Sequence, residues 1–179
     1  ALNRLLSPLN WAMRRRLRDT SDFKIENGRI NVIAADAFKR DPVNLIRLFA
    51  RAESLNAPFH PQAMRLVRHS LGLIDDKLRN DVQANQIFLG LLTSKQNPES
   101  ALRHMSESGV LGRFVPEFGR VVSMMQFNMY HHYTVDEHLL RTVGHVYEIE
   151  NGAASKDLPL STDLIKTIHG RRALYVAAF

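Results

Sequence analysis

The sequence predicts an all-α protein, a helical array that carries one small β-hairpin at about residues 23–32. Apolar residues recur at helical spacing, and residues that start or stop helices punctuate the chain from Asp41 onward. The hairpin is indicated by Asn27-Gly28, which lies between short runs of alternating apolar and polar residues. Because a lone hairpin is marginal in water, we expect it to pack on the helices.

Each predicted helix has a start or stop signal, such as Asp41-Pro42 for the second and Asn97-Pro98 for the fifth. The predicted helices are about 2–17 with a break at Pro8, 42–55, one from Pro61, 76–92, 98–109, 135–150, one capped by Ser161 or Thr162, and one after Gly170. The side chains expected to face inward are Val43, Ile46, Phe49, Ala50, Met64, Val67, Leu71, Val82, Phe88, Leu89 and Leu92. Residues 173–179 are apolar all round, which is typical of a helix buried within a larger domain.

The composition excludes several classes of protein. Of the 179 residues 45% are hydrophobic, which suits a folded domain, and there is no cysteine for disulfides or thiolate metal sites. No apolar run is long enough to span a bilayer, and the N-terminal residues lack the apolar core of a signal peptide. We therefore expect a cytoplasmic protein that does not contact a membrane.

The formal charge of +6 is concentrated in Arg14-Arg15-Arg16-Leu17-Arg18. Such a cluster can bind nucleic acid or an acidic protein surface, but it more commonly forms the solvated face of a helix. Few aromatic residues lie near it, so no platform for stacking bases is predicted. A nucleic-acid partner is not expected.

The start of the helix at 135–150 is the strongest candidate for chemistry. Thr134 and Glu137 have the spacing of a capping box, which would fix His138 in the first turn as a candidate metal ligand. His145 is two turns away, about 10 Å, too far to share one ion with His138. His131 and His132 precede the cap and could reach the same cleft. An isolated histidine is more often structural, so the residues alone leave both roles open.

Other chemistries lack their residues. The sequence has no cysteine nucleophile, no Gly-x-Ser-x-Gly elbow and no glycine-rich phosphate loop. Asp75-Asp76 is a carboxylate pair, but acidic residues favour the first turn of a helix, so we interpret it as a helix start.

Residues 102–120 (LRHMSESGVLGRFVPEFGR) and 124–143 (MMQFNMYHHYTVDEHLLRTV) closely resemble one family. Together with FKIENGRINV, DPVNLIRLF and LIDDKLRND, they are similar to the bifunctional uridylyltransferase/uridylyl-removing enzymes of bacterial nitrogen control. The resemblance covers essentially the whole chain. It implies a helical tail of a nucleotidyltransferase region at 1–20, a helical linker with the hairpin at 21–122, and the N-terminal part of an HD-type phosphohydrolase domain at 123–179.

The resemblance also implies a site. His138 matches the first histidine of the HD motif, and the remaining ligands are expected beyond Phe179. His131, His132 and Asp136 are candidates for holding the ligands through hydrogen bonds. The parent enzyme would use a divalent metal, Mg²⁺ or Mn²⁺, to remove UMP from a tyrosine of the PII signalling protein, whereas UTP, UMP and glutamine would act on its other parts. By itself this chain is expected to bind no metal and to be inactive.

Two alternatives compete with this interpretation. The chain could be the helical, RNA-binding body of a CCA-adding enzyme or poly(A) polymerase, in which the arginine cluster would contact RNA. It could also belong to an HD hydrolase of nucleotides or alarmones. The PEFG and YTVDEH runs favour the uridylyltransferase family over the first alternative.

Overall fold

The computed structural model describes residues 22–124 and 133–179. These residues form a helical array with one two-stranded antiparallel sheet, so the predicted all-α class with a single hairpin is confirmed. The α-helices are α1 (Ala37–Arg40), α2 (Asn44–Leu55), α3 (Pro61–His69), α4 (Asp76–Arg79), α5 (Val82–Leu92), α6 (Pro98–Glu107), α7 (Val110–Phe114), α8 (Pro116–Val121), α9 (Val135–Asn151), α10 (Pro159–Leu164) and α11 (Arg171–Ala178). Short 3₁₀ helices cover Leu71–Leu73 and Ile165–Thr167.

Two features lie outside the described residues, the predicted helix at 2–17 and the arginine cluster at 14–18. Among the helices that the structure describes, none has the length and apolar character needed to cross a membrane.

The hairpin forms at the predicted position. Strand β1 (Phe23–Glu26) pairs antiparallel with β2 (Arg29–Val32). Asn27 and Gly28 have φ values of 50° and 73°, so both occupy the left-handed region. A two-residue turn of this kind matches the right-handed twist of the strands, which is why Asn-Gly suits it.

The hairpin docks on the helices through β2. Ile30 is fully buried; its N–H donates to the Pro58 carbonyl at 2.8 Å, and its own carbonyl accepts from the His60 N–H at 2.9 Å. The expectation that the hairpin packs on the helical body is confirmed, and the docked segment leads directly into α3.

Helix α2 is the centre of the core and is more buried than its predicted stripe. The Asp41 side chain accepts from the Val43 N–H at 3.1 Å, and the helix begins at Asn44, two residues later than Pro42 suggested. Every residue from 43 to 50 is buried, including two polar ones. The Asn44 side chain donates to the Ala37 carbonyl at 3.2 Å, and Arg47 pairs with Asp41 at 2.7 Å, so both are satisfied in place.

The prediction of one helix over 76–92 is wrong, because α4 and α5 are separate. Asp81 starts the second helix by accepting from the Ala84 N–H at 2.8 Å, and the Asn85 side chain donates to the Arg79 carbonyl at 2.7 Å. Val82, expected to face inward, is 70% exposed because it occupies the first position of the new helix.

Helices α6 to α8 follow one another closely between residues 98 and 121. The Asn97 side chain accepts from the Ser100 N–H at 3.0 Å, which confirms the predicted start of α6. Gly109 has a φ of 82° and separates α6 from α7. Gly112 and Gly119 bring α7 and α8 into backbone contact, since a Cβ on Gly119 would overlap the Gly112 carbonyl.

The C-terminal helices differ from the prediction at the start of α10. Helix α10 begins at Pro159, and Thr162 lies inside it with its hydroxyl donating to the Leu158 carbonyl at 2.9 Å, so neither Ser161 nor Thr162 is the cap. Helix α11 buries Tyr175, but Val176 is 53% exposed. In the described structure α11 packs one face against α9 and α5, and burial of residues 173–179 within a larger domain stays a prediction.

The core is concentrated in the first described segment. Of the residues 133–179, only three apolar side chains join the buried core, Leu140, Val143 and Tyr175. Helix α9 packs against α6, and Val143 is among the buried residues of α9. The C-terminal helices therefore depend more on polar contacts for their placement than the helices of residues 22–124 do.

Candidate functional site

The predicted ligand His138 lies in the first turn of α9 with its side chain exposed. Its N–H donates to the Thr134 carbonyl at 2.9 Å, and its carbonyl accepts from the Thr142 hydroxyl at 2.8 Å. The backbone of His138 is thus fixed by the helix. An exposed imidazole on a fixed backbone is available to an ion or a substrate that approaches from solvent.

The predicted capping box does not form. Thr134 is the N-cap residue, with φ −67° and ψ 160°, but its side chain makes no capping hydrogen bond. Glu137 does not reach back to Thr134, because its carboxylate accepts hydrogen bonds from two arginines instead. The start of α9 is therefore held by Arg103 of α6 and by Arg141 in the next turn of α9.

Arg103 of α6 makes the link between the two helices. Its Nη1 donates to Glu137 Oε2 at 2.6 Å and its Nη2 to Glu137 Oε1 at 3.0 Å, while Nη2 also donates to Glu99 at 2.7 Å. Bidentate pairs of this kind fix orientation as well as distance. Hydrogen bonds from Arg103 hold the pKa of Glu137 below its usual range, so the carboxylate is ionised at neutral pH.

Arg141 completes the network one turn along α9. Its Nε donates to Glu137 at 2.9 Å, and its guanidinium lies over the Tyr133 ring, 4.1 Å from the centroid. Gly144 lets the helices approach at the next turn, since a Cβ there would overlap Glu99 Oε2. The charged network and this close approach together define the position of His138 relative to α6.

Of the other predicted site residues the structure describes Asp136, whose carboxylate has a partner outside α9. Asp136 accepts from the Ser123 N–H at 3.2 Å and so ties the start of α9 to the end of α8. His145 is exposed, and its Nδ1 lies 3.0 Å from Glu148. His131 and His132 lie outside the described residues.

The described residues alone do not fit a metal ion. A divalent ion held by imidazoles and carboxylates needs several ligands around one point. Nowhere in 22–124 or 133–179 do three or more histidine, cysteine, aspartate or glutamate side chains converge in this way. Of the predicted ligands, His138 is therefore the single group these residues could contribute.

A second polar network holds the far end of α9. Arg171 of α11 donates through Nε and Nη2 to Glu150, and the Tyr175 hydroxyl donates to Glu150 at 2.8 Å. Burial alone would raise the pKa of Glu150, but these hydrogen bonds outweigh it and leave the pKa below its usual range. Arg171 also donates to the Thr93 carbonyl, which attaches α11 to the loop after α5.

Sequence reasoning missed the charged network. The spacing of Glu99 with Arg103, and of Glu137 with Arg141, is four residues in each case, and this is the signal for ion pairs along a helix. The contact of Arg103 with Glu137 joins residues 34 apart, and no local pattern indicates it.

Comparison with known proteins now defines the class. Residues 23–114 match the model of the third domain of the uridylyltransferase GlnD. Over 166 residues the chain is 51% identical to the bifunctional uridylyltransferase/uridylyl-removing enzyme of Novosphingobium aromaticivorans, a match that covers 93% of the chain and 18% of that protein. No solved structure matches the chain.

The chain belongs to the uridylyltransferase GlnD family, which confirms the resemblance drawn from its motifs. It spans about a fifth of the length of the Novosphingobium relative. The matched domain includes the hairpin and the helices through α7, so Arg103 lies within it, whereas His138 lies after it.

Proposed function

We propose that the chain is part of a cytoplasmic enzyme that attaches UMP to the PII regulatory protein and removes it in response to glutamine. The observation that carries this proposal is the 51% identity with a bifunctional uridylyltransferase/uridylyl-removing enzyme over nearly the whole chain. Family membership also counts against the two alternatives, the RNA-binding body of a CCA-adding enzyme and an HD hydrolase of nucleotides or alarmones.

Within that enzyme we assign this chain to the linker and to the start of the uridylyl-removing domain. His138 is the proposed first ligand of a divalent metal, Mg²⁺ or Mn²⁺, with the other ligands supplied from outside the described residues. When bound, such an ion would polarise the phosphodiester oxygens and lower the pKa of a bound water. The exposed position of His138 on a backbone fixed by α9 supports this role.

The contribution of the chain's own residues is positional. Arg103 and Arg141 hold Glu137, the residue next to His138, so the backbone that carries the imidazole is fixed relative to α6. Asp136 ties the same turn to Ser123. A ligand whose backbone is already fixed loses less conformational freedom when an ion binds.

The test uses the full-length enzyme with uridylylated PII as substrate. The change His138→Asn should lower the rate of metal-dependent UMP removal by about 100-fold or more, since even indirect supports of a metal ligand contribute about 10–100-fold. Attachment of UMP should remain at the wild-type rate. His145→Asn is the matched control, because His145 is an exposed histidine on the same helix.

Equal loss of removal in both variants, or full removal activity in His138→Asn, would contradict the assignment. The isolated 179-residue chain gives a second test. Titration calorimetry with Mn²⁺ should show no stoichiometric binding, and tight 1:1 binding would show that the chain carries a complete site.

A further inference from the structure

A cleft of about 360 Å³ lies between α2 and α6, on the side of α6 away from α9. Its walls come from the last turns of α2, from the segment that follows it, and from the first turns of α6. The residues that line it are Phe49, Ala52, Glu53, Asn56, Ala57, Pro58, Phe59, Gln96, Asn97, Ser100, Ala101 and His104. Its volume is at the small end of the range for ligand sites, about 300–1,000 Å³.

Glu53 is the unusual member of this lining. Among the described residues, its Oε1 is buried without a hydrogen-bond partner. Burial raises the pKa of Glu53 to about 7, although hydrogen bonds from the Ser94 side chain and the Asn97 backbone act in the opposite direction. A buried acceptor without a donor is costly and is rare in folded proteins.

The rest of the lining suits a flat, positively charged group. Phe59 packs against Phe49 at 5.2 Å and against the His104 ring at 5.3 Å between centroids. His104 Nδ1 donates to the Ser100 carbonyl at 2.8 Å, which leaves Nε2 as the hydrogen-bonding atom still available on that ring. Of the described residues that line the cleft, Glu53 is the one acid and none is lysine or arginine, although the chain carries +6 overall.

We propose that this cleft binds a small organic cation, an amidinium or ammonium group on a flat apolar body, through the carboxylate of Glu53. The cation supplies the hydrogen-bond donor that Oε1 lacks, and the aromatic rings attract its charge and cover its apolar part. Rotation about the terminal bond of a glutamate side chain has a broad profile, so either oxygen can turn toward the ligand.

This binding is linked to pH. The cation pairs with the ionised form of Glu53, and that form rises from about one-eleventh of the molecules at pH 6 to about ten-elevenths at pH 8 for a pKa near 7. The affinity should therefore rise about tenfold across this range, because the competent fraction scales the apparent Kd. His104, on α6, is the other titratable residue of the lining, so its contribution needs its own variant.

Benzamidine is a suitable probe, since it is a flat aromatic amidinium. We would titrate it into the ¹⁵N-labelled 179-residue chain and follow the backbone amide signals. The amide signals of Ala52, Glu53, Asn97 and Ser100 are expected to shift. Glu53→Gln should weaken binding about tenfold or more and abolish its pH dependence, because a charge-assisted hydrogen bond is replaced by a neutral one. His104→Asn should keep the pH dependence.

Glu117→Gln is the matched control, since Glu117 is an exposed glutamate on α8 outside the cleft. It should bind benzamidine as the wild type does. Circular dichroism of each variant checks that the helices are retained. The proposal is overturned if Glu53→Gln binds as tightly as the wild type, if the affinity does not change between pH 6 and pH 8, or if the shifts map elsewhere.

Discussion

Helix α6 separates two polar regions in which the pKa of a glutamate is shifted in opposite directions. On the side toward α2, the Oε1 atom of Glu53 is buried without a hydrogen-bond partner, and burial raises the pKa of this residue to about 7. On the side toward α9, Glu137 is bound by Arg103 and Arg141, and its pKa is lowered. The two residues have the same chemistry, so the difference shows that the available partner sets the sign of the effect.

The two regions also differ in whether every carboxylate oxygen has a hydrogen-bond donor. In the α9 region each Glu137 oxygen accepts at least one arginine hydrogen bond, so the network is complete and serves to position His138. In the α2 region an acceptor is left over beside an open cleft. The complete network accounts for its own charges, whereas the unpaired Glu53 oxygen beside the cleft is the basis of the proposed cation site.

The largest expected effect on stability comes from Glu53, on the side of α6 toward α2. Since the pKa of Glu53 is 4.5 as a reference and about 7 in the fold, the folded chain holds its proton more tightly than the unfolded chain does. The unfolding free energy should therefore fall as pH rises from about 4.5 through about 7, by about 3 kcal/mol in total. Glu53→Gln should remove this dependence and be the more stable protein at pH 8, as measured by urea denaturation.

Glu117→Gln serves again as the control and should keep the wild-type slope, because its carboxylate is exposed on α8. If the wild type and Glu53→Gln lose stability in parallel between pH 5 and pH 8, Glu53 is ionised throughout and the contrast between the two sides of α6 disappears.

A smaller loss of stability is expected when Arg103, the central residue of the charged network beside α9, is replaced. Arg103→Met keeps the length of the side chain but leaves Glu99 and Glu137 without their shared cation. Hydrogen bonds to charged groups contribute about 1.5–3 kcal/mol, and partial exposure reduces this, so we expect a loss of about 1–2 kcal/mol. Hydrogen exchange should quicken in the first turns of α9 more than in α2.

Arg120→Met is the matched control, since Arg120 is an exposed arginine of α8. It should leave exchange in α9 unchanged. Unaltered protection of α9 in Arg103→Met would show that the helix is placed by its apolar contacts, Leu140 and Val143, and not by the charged network.

Local signals predicted the elements well, and long-range contacts explain the errors. Asn27-Gly28 and Asn97 each determine a short piece of backbone, and both act where expected. The Thr134 and Glu137 pair failed because Arg103, from a different helix, offers Glu137 two charged donors in place of one backbone amide. A sequence pattern cannot include a competitor that only the tertiary fold brings near.

The same limit applies to the two candidate sites. His138 was found by its motif, and its metal role stays a prediction because the described residues contribute no further ligands to it. Glu53 carries no motif: it lies in an ordinary helical run, RLFARAESL, and its carboxyl is covered by residues distant in sequence, among them Ser94 and Asn97. Burial of a charged residue depends on what covers it, and spacing along one helix does not show that.

The smallest expected effect is the acid response of Glu137. Its folded pKa lies below the reference value of 4.5, so its contribution to stability is fully present above about pH 4.5 and is lost as pH falls through the folded pKa. Wild type should exceed Glu137→Gln by about 1 kcal/mol at pH 7, the upper end for a partly exposed pair, and the gap should narrow toward pH 3. Denaturation of both proteins at pH 7, 5 and 3 measures this gap. A gap that widens with acid would mean that Glu137, like Glu53, is held in its protonated form, and α6 would then have the same character on both sides.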